Sequence, residues 1–506
     1  MYELLTPLQM KKADRLTIEG GTSGLTLMHN AGKVVLEALQ EILYPHSRIL
    51  VLCGPGNNGG DGFVVAQLAS DEGFDVRVAL VCDPAALTGD AELAYDEMSL
   101  DLTSLENMRS LMEEVSDDDV IVDALFGAGL SRPLDYEILQ LVQRINASSA
   151  QCVAIDLPSG VSGKSGEVQG EAVHADITVT FFRAKPGHYL FPGRAHCGEI
   201  IIEQIGLEDD VLSKVGPTAF YNCDKIWGDI PDMPAVAGHK YNRGHTLVVS
   251  GPKFATGASR LAARAAQRAG SGLVSIVARE QAAHVHAAHL NSIMICLADR
   301  IADFERILED QRLNCVVIGP AVGVGRETQE RVVQCLLDER GVVIDADALM
   351  SFEPKPEILF EYIAQAQTGA RVVLTPHEEE FRRLFPDLNE ATSTACKVER
   401  VQQAAARAGA VVVLKGADTV IADPAGAVAI NASGTPWLAS AGTGDVLAGI
   451  IGGYLAQGLS AYQAAAKGVW VHGRAAEYAG DGLIAEEVID HIPDVITELV
   501  EYVEGF

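Results

Sequence analysis

Short β-branched runs alternate with helical patterns twice along this 506-residue chain, and the break between the two series constrains the fold more than any other feature. In the first series Ser47 to Cys53, Asp75 to Val81, Asp119 to Val122, Cys152 to Ile155 and Ala175 to Phe181 read as buried parallel strands, because unbroken Val/Ile/Leu runs suit strands covered on both faces. A helix is expected over Asp61 to Ser70, just after a glycine-rich turn, and two more precede the sheet, Pro7 to Ile18 and Leu25 to Leu43. The latter carries Leu27, Ala31, Val34, Val35, Ala38 and Leu39 at helical spacing. Periodicity fails from Gly206 to Pro234, and a new series follows. It comprises strands His245 to Ser250, Leu273 to Val277, Cys315 to Ile318, Val342 to Ile344, Arg371 to Leu374 and Ala410 to Leu414. Its helices are Ala258 to Ala269, Glu378 to Leu384, Ser393 to Ala408 and those from Asp445 onward. Such order predicts an α/β protein of two domains, residues 1–215 with a Rossmann-like doubly wound parallel sheet and residues 225–506 with a second layered α/β structure.

Composition excludes several function classes. No apolar run approaches the ~20 residues of a membrane helix, and the N-terminus lacks the zones of a signal peptide, so a cytoplasmic protein without a membrane partner is expected. Nine cysteines contain no C-x-x-C pair, which points to core packing and not to zinc or disulfides. A net charge of −31 argues against a nucleic-acid partner. The same charge opposes a polyphosphate, so backbone N–H nests, metal ions and single cations such as Lys415 must supply any local attraction.

Two motifs carry chemistry. Ser440-Ala441-Gly442-Thr443-Gly444-Asp445 opens a small-residue helix, where glycine-freed amides and the positive end of the helix dipole suit a phosphate. Asp445 there either caps the helix or takes a proton from a hydroxyl that is being phosphorylated. In the first half, Gly54-Pro55-Gly56-Asn57-Asn58-Gly59-Gly60-Asp61-Gly62 follows a strand and contains G-x-G-x-x-G, with Asp83 placed where a dinucleotide fold holds a ribose. The paired asparagines add hard amide oxygens suited to a cation. Asp123, Asp156 and the Lys185-Pro186-Gly187 turn lie at the carboxyl ends of further strands, the edge that lines the crevice of a parallel sheet; the alternative makes the two aspartates turn formers.

Together with Asp123-Ala124-Leu125-Phe126-Gly127 and Asp156-Leu157-Pro158-Ser159-Gly160, the Gly54 to Gly62 run resembles the NAD(P)H-hydrate epimerases. The second half resembles the ADP-dependent NAD(P)H-hydrate dehydratases of the ribokinase-like superfamily. Its matching residues are Lys240 to Gly244, Thr256-Gly257-Ala258, Gly319-Pro320, Asp345 to Leu349, Thr375-Pro376-His377 with Glu380, Lys415 to Thr419 and Gly442 to Asp445. The order resembles fused bacterial repair enzymes and implies a ribokinase-like α/β/α sandwich for residues 225–506. By this resemblance the first domain interconverts the R and S hydrates of NADH and NADPH (NADHX and NADPHX), and the second dehydrates the S form while ADP becomes AMP and phosphate.

Carried residue by residue, the resemblance places potassium on Asn58, Asp123 and Ser159. The hydrate would lie along Asn57, Asn58, Gly59, Gly60 and Asp61, along Gly127, Ala128, Gly129, Leu130, Ser131, Arg132 and Pro133, and beside Asp156, the expected acid/base; Tyr136 and Lys185 are further expected lining. In the dehydratase half Asp445 would be the base, with Ala258, Gly323 and His377 on the hydrate. Lys415, Gly416, Ala417, Asp418, Thr419 and Gly444 would bind the nucleotide, with magnesium near Glu380 and Asp345, held through water since magnesium keeps much of its hydration. Two positions depart from the family pattern, Ala321 where a glycine is usual and Pro252 after Gly251. A homo-oligomer is expected if the apolar faces of the first two helices do not pack on their own sheet. Two other readings remain open: an ATP-dependent kinase of a vitamin precursor or sugar using the same Asp445, and a first half that is a non-catalytic nucleotide sensor.

Overall fold

The structure, a computed structural model, describes residues 1–130, 132–168, 170–228, 238–337, 340–366, 371–389, 393 and 395–504. They form two compact units, Met1–Ala219 and Phe220–Phe506. The aperiodic stretch from Gly206 to Pro234 falls partly outside the described residues. Within it lie short elements whose length hides any period, the helices Val211–Val215 and Asp224–Trp227 and the strand Ala219–Tyr221.

In the first unit a parallel sheet runs in the order Asp75–Leu80, Arg48–Cys53, Val120–Ala124, Gln151–Ile155, Ile177–Phe181, Glu199–Glu203. The direction of winding reverses between Arg48–Cys53 and Val120–Ala124, which opens a crevice at their carboxyl ends. Gly54 sits at that point because a side chain there would lie 1.7 Å from the Leu125 carbonyl oxygen. The helix beyond it spans Asn57–Asp71, four residues earlier than its apolar pattern starts, so Asn57 to Gly60 form its first turn. Close backbone approach permits this, since a Cβ on Gly59 would meet the Gly54 oxygen at 2.0 Å. Helix Pro7–Glu19 begins with a capping box between Thr6 and Gln9, and Gly24–Gln40 with a Ser23 cap. Leu27, Ala31, Val35 and Leu39 are buried against strands of their own unit, so the apolar stripe of that helix is internal. Strand Glu199–Glu203 and helices Asp90–Glu97, Leu105–Met112 and Tyr136–Ala147 were not evident from the pattern of the sequence.

The second unit carries a larger sheet, in the order Val428–Ile430, Val420–Ala422, Val411–Leu414, Val372–Leu374, Gly341–Ile344, Cys315–Ile318, His245–Val249, Leu273–Ala278, Met294–Leu297. Its strands are parallel apart from the antiparallel pairings made by Val420–Ala422. The winding reverses between His245–Val249 and Cys315–Ile318. Helix Thr443–Ala456 is nearly all buried, and its glycines explain how it fits. A Cβ on Gly449 would lie 2.1 Å from Ala262 O, and one on Gly452 2.4 Å from Val317 Cγ2. The helix therefore wedges between helix Gly257–Arg268 and the sheet at a distance only small residues allow. Helix Lys397–Ala408 starts later than Ser393, at a capping box between Cys396 and Glu399; Thr394 lies outside the described residues. Among the described residues no helix is long and apolar enough to cross a membrane.

Ala321, where the family pattern has glycine, adopts φ +54°. Its carbonyl packs so closely on Gly251 that a Cβ there would lie 2.0 Å from the oxygen, so position 251 admits only glycine. Left-handed geometry disfavours alanine by ~1–2 kcal/mol, partly offset by the larger unfolded-state entropy of glycine. Ala321→Gly is expected to raise the denaturant midpoint of the second unit, a stabilisation of ~1 kcal/mol; a lowered midpoint would show that the turn is not strained.

Candidate functional sites at two sheet edges

The crevice of the first unit is a cavity of about 580 Å³. Asn57, Asn58, Asp61, Gly127, Ala128, Gly129, Leu130, Arg132, Asp156 and Lys185 line it. Gly59 and Gly60 lie behind this wall, packed on Gly54 and on Met28 and Ala91. Pro133 is exposed and does not line the cavity, and Ser131 lies outside the described residues. Tyr136 is 72% exposed at the start of its helix and is no part of the cavity wall. Asp83 caps the turn Pro84–Ala86 through the Ala85 N–H, a local task in place of ribose binding.

Asp156 is the most constrained group. Its Oδ1 accepts from Lys185 Nζ at 2.5 Å and from Thr180 Oγ1 at 3.1 Å, and its Oδ2 accepts from the Ala128 N–H at 2.9 Å. His188 Nε2 donates to the Asp156 backbone oxygen at 2.8 Å and helps hold the residue at φ +65°. Burial alone would push this carboxyl up, but the charge and hydrogen bond of Lys185, the Ala128 N–H and His188 outweigh it and bring it to about 2. Asp156 is therefore a carboxylate at neutral pH, suited to orienting a substrate or accepting a proton and unsuited to donating one. Burial and then Lys185 push His188 down to about 4, so its ring is neutral. Asp61 is pushed well up by burial, then by Asp156 and Asp14, with Lys185 opposing.

Behind the cavity, Asp123 and Ser159 are fully buried. Ser159 Oγ donates to Asp123 Oδ1 at 2.6 Å, and Ser159 N to Oδ2 at 2.7 Å. Burial lifts Asp123 to about 6 against these hydrogen bonds, and no lysine or arginine pairs with it among the described residues. The Asn58 amide finds partners for both its atoms in one orientation only. With NH₂ toward the Ile155 carbonyl it bonds at 3.0 Å, and its oxygen accepts from Gly127 N at 3.3 Å; turned over, two oxygens face each other as they would around a cation.

In the second unit neighbouring strands deliver Asp345, Thr375 and Lys415 to one edge. Asp345 Oδ1 accepts from Lys415 Nζ and Thr375 Oγ1, each at 2.8 Å. Lys415 N donates to Pro376 O at 2.9 Å, which ties the His377 and Lys415 segments together. The lysine side chain is 20% exposed, so it is an internal cation. Gly442, at φ +93°, turns the chain into helix Thr443–Ala456, whose first N–H groups lack intrahelical partners. A Cβ on Gly444 would lie 3.7 Å from Lys415 Nζ, which brings the glycine nest and the cation together. Asp445 is pushed up to about 6 by burial and then by Asp345, with Lys415 opposing. His377 Nδ1 accepts from the N–H groups of Glu379 and Glu380 and caps helix Glu378–Leu384, while its ring remains half exposed. Glu380 accepts from His377 N at 2.9 Å, and Gly323 N donates to Asp347 Oδ2 at 2.9 Å. Ala258 is the second residue of helix Gly257–Arg268, whose Leu261 abuts Gly442. Asp418 is paired with Lys397, and Thr419 Oγ1 donates to Gly416 O at 2.9 Å. Those two side chains shape the loop, and its exposed face belongs to Gly416 and Ala417.

Asp14, Thr180 and His188 were missed from the sequence. Thr180 is one threonine in a strand and His188 follows a Pro-Gly turn, so neither carries a local signal. Asp14 sits beside the buried Ala13 in a helix whose other polar residues are exposed or half-buried, and only the tertiary packing turns it toward the cavity.

Lys185→Met would strand the Asp156 carboxylate, a loss expected to be ~3–5 kcal/mol at pH 8. In the unmutated chain the depressed Asp156 contributes stability above its unfolded value of 3.8 and loses it as pH falls through about 2. Without the lysine, burial raises this carboxyl, so the penalty should shrink as pH falls from 8 to 5. Denaturant midpoints of the first unit at both pH values check this; an equal loss at both would show that the pair is not the cause.

The sequence profile described as "YjeF-related protein N-terminus" matches residues 24–187, and that of "NAD(P)H-hydrate dehydratase" matches residues 246–495. A bifunctional NAD(P)H-hydrate repair enzyme of Thermofilum pendens is 34% identical, with 98% of this chain and 97% of that protein covered. Its counterparts in Coxiella burnetii (34%, 96% and 97%) and Moorella thermoacetica (34%, 100% and 98%) match similarly. Among solved structures, the ADP/ATP-dependent NAD(P)H-hydrate dehydratase of Bacillus subtilis, co-crystallised with ATP and Mg²⁺, is 26% identical over 55% of this chain and 98% of its own, with a TM-score of 0.46. With both sequence profiles matched in this order and relatives at 34% identity covering 96–100% of its length, this chain belongs to the family of bifunctional NAD(P)H-hydrate repair enzymes.

Proposed function

We propose that residues 1–215 interconvert the R and S hydrates of NADH and NADPH, and that residues 225–506 dehydrate the S hydrate with ADP, releasing AMP and phosphate. The observation that carries the second half is the joint placement of Asp445, the Gly442 to Gly444 nest and Lys415. Asp445 takes the proton of the hydrate hydroxyl while its oxygen attacks the terminal phosphorus of ADP, and AMP leaves with the electrons of the broken P–O bond. Charge that builds on the moving phosphoryl group is met by the nest amides and Lys415. Elimination then expels phosphate, a far better leaving group than hydroxide, as the ring nitrogen pushes electrons toward the carbon that bore it and a proton leaves the adjacent carbon. Ala258, Gly323 and His377 are assigned to the hydrate, and Gly416 to Thr419 with Gly444 to the nucleotide. Asp345 and Glu380 are already bonded to Lys415 and His377, so magnesium would enter with the nucleotide phosphates and keep its waters toward these carboxyls.

In the first half the reading places potassium between Asn58, Asp123 and Ser159, where it would supply the positive charge that the buried Asp123 lacks. The hydrate would occupy the cavity beside Asp156. A sensor would have no need of this cation set, and an ATP-dependent kinase would leave a stable phosphorylated vitamin or sugar; neither rival accounts for the end-to-end similarity to repair enzymes.

Asp445→Asn is expected to lower dehydration by ~10²–10⁴-fold while ADP binding persists. For the unmutated enzyme kcat/KM should rise with pH through about 6, since the base must be ionised. Unchanged turnover in the variant, measured as recovery of nicotinamide absorbance, removes Asp445 from this role. Asp123→Ala should abolish potassium-dependent epimerisation and spare dehydration of pure S hydrate; equal loss of both would contradict separate sites.

A further inference from the structure

Helix Pro7–Glu19 lies ahead of the matched residues 24–187, yet it supplies part of the cavity wall through Pro7, Met10, Lys11 and Asp14. The carboxyls of Asp14 and Asp61 both face this cavity, and neither has a hydrogen-bond or ion-pair partner among the described residues. Asp156, the third carboxyl there, is held by Lys185, Thr180 and Ala128. One lysine thus satisfies one carboxylate and leaves two free beside the space meant for substrate. A largely desolvated carboxyl with no partner weakens a fold, so the half-buried Asp14 has no structural task that accounts for it.

The chemistry of the hydrate gives it one. Water adding to an enamine puts the hydroxyl on the carbon bonded to nitrogen, and such a carbon inverts by opening and closing the C–N bond. Resting on the reading that residues 1–215 epimerise the hydrate, we infer that Asp14 is a catalytic base of that reaction, with Asp61 as the partnering acid. Asp14 takes the hydroxyl proton, the C–N bond breaks with its electron pair going to nitrogen, and Asp61 delivers a proton to that nitrogen. The resulting aldehyde turns about its C–C bond. Closure on the other face returns one proton to Asp61 and one to the new hydroxyl, so nothing is consumed.

Burial raises Asp14 to about 6, with Lys185 opposing and Asp156 adding to the rise. Asp61 is the third group coupled to it, Lys11, Asp90 and Arg132 are the other charged groups lining the cavity, and Lys12 and Lys214 lie where the helix meets Val211–Val215. As a base Asp14 must be ionised, so activity should fall as pH drops through about 6.

The test uses the full chain with potassium and an R-enriched NADH hydrate, without ADP so that dehydration is silent, and follows the R to S ratio against pH. Asp14→Asn is expected to slow equilibration by ~100-fold or more and to remove the acid limb near 6, with stability at pH 8 unchanged or raised. A variant that equilibrates the hydrates at the original rate, or a slow one that keeps the limb, overturns the proposal. Should Asp14→Asn fail to fold, Asp14→Glu decides: retained epimerisation with a displaced limb supports the role, and an undisplaced limb contradicts it. Failure of the unmutated chain to equilibrate the hydrates would instead refute the epimerase reading itself.

Discussion

A single buried lysine among several carboxyls organises each sheet edge. Lys185 binds Asp156 in the first unit, and Lys415 binds Asp345 in the second. In both, one carboxylate is satisfied while a neighbour is left without a cation of its own, Asp61 with Asp14 in one and Asp445 in the other. Burial then raises the neighbour toward the range where protons can be exchanged near neutrality. Without the lysine the cluster could not be assembled in a dry crevice, because several buried carboxylates would face one another uncompensated. The chain as a whole is strongly acidic, so this local placement matters more than net charge.

The fold makes such clusters possible by bringing the carboxyl ends of neighbouring parallel strands to one edge. Asp123 and Asp156 end or follow adjacent strands, and so do Asp345, Thr375 and Lys415. Backbone strain gathers at these same edges: Asp156, Phe182, Ala321 and Ala346 have positive φ without being glycine. In the second unit the packing behind the edge is close, most visibly where the Gly449, Gly452 and Gly453 side of helix Thr443–Ala456 meets helix Gly257–Arg268 and strand Cys315–Ile318.

Continuous Val/Ile runs made the buried parallel strands legible, and each of those read from sequence is present within a residue or two. Short strands such as Val420–Ala422 and Met294–Leu297 were not, because three or four residues define no period. The start of helix Asn57–Asp71 was misplaced for a related reason: Asn-Asn-Gly-Gly is turn-like by propensity, and only the approach of Gly59 to Gly54 makes it helical. The glycine motifs and strand-end aspartates were visible as chemistry. Which carboxyl pairs with which lysine was not, since Lys185 and Asp156 are 29 positions apart and Lys415 and Asp345 are 70 apart. Asp14 left no trace in the sequence because its helix looks like an ordinary amphipathic cover.

The account turns on the division of labour between paired and unpaired carboxyls. It is tested most directly by ¹³C NMR titration of aspartate-labelled protein, with Asp156 and Asp445 assigned by substitution. The paired Asp156 should remain ionised down to about 2, and Asp445 should titrate near 6. Both titrating together near the ordinary carboxylate value of 3.8 would contradict it.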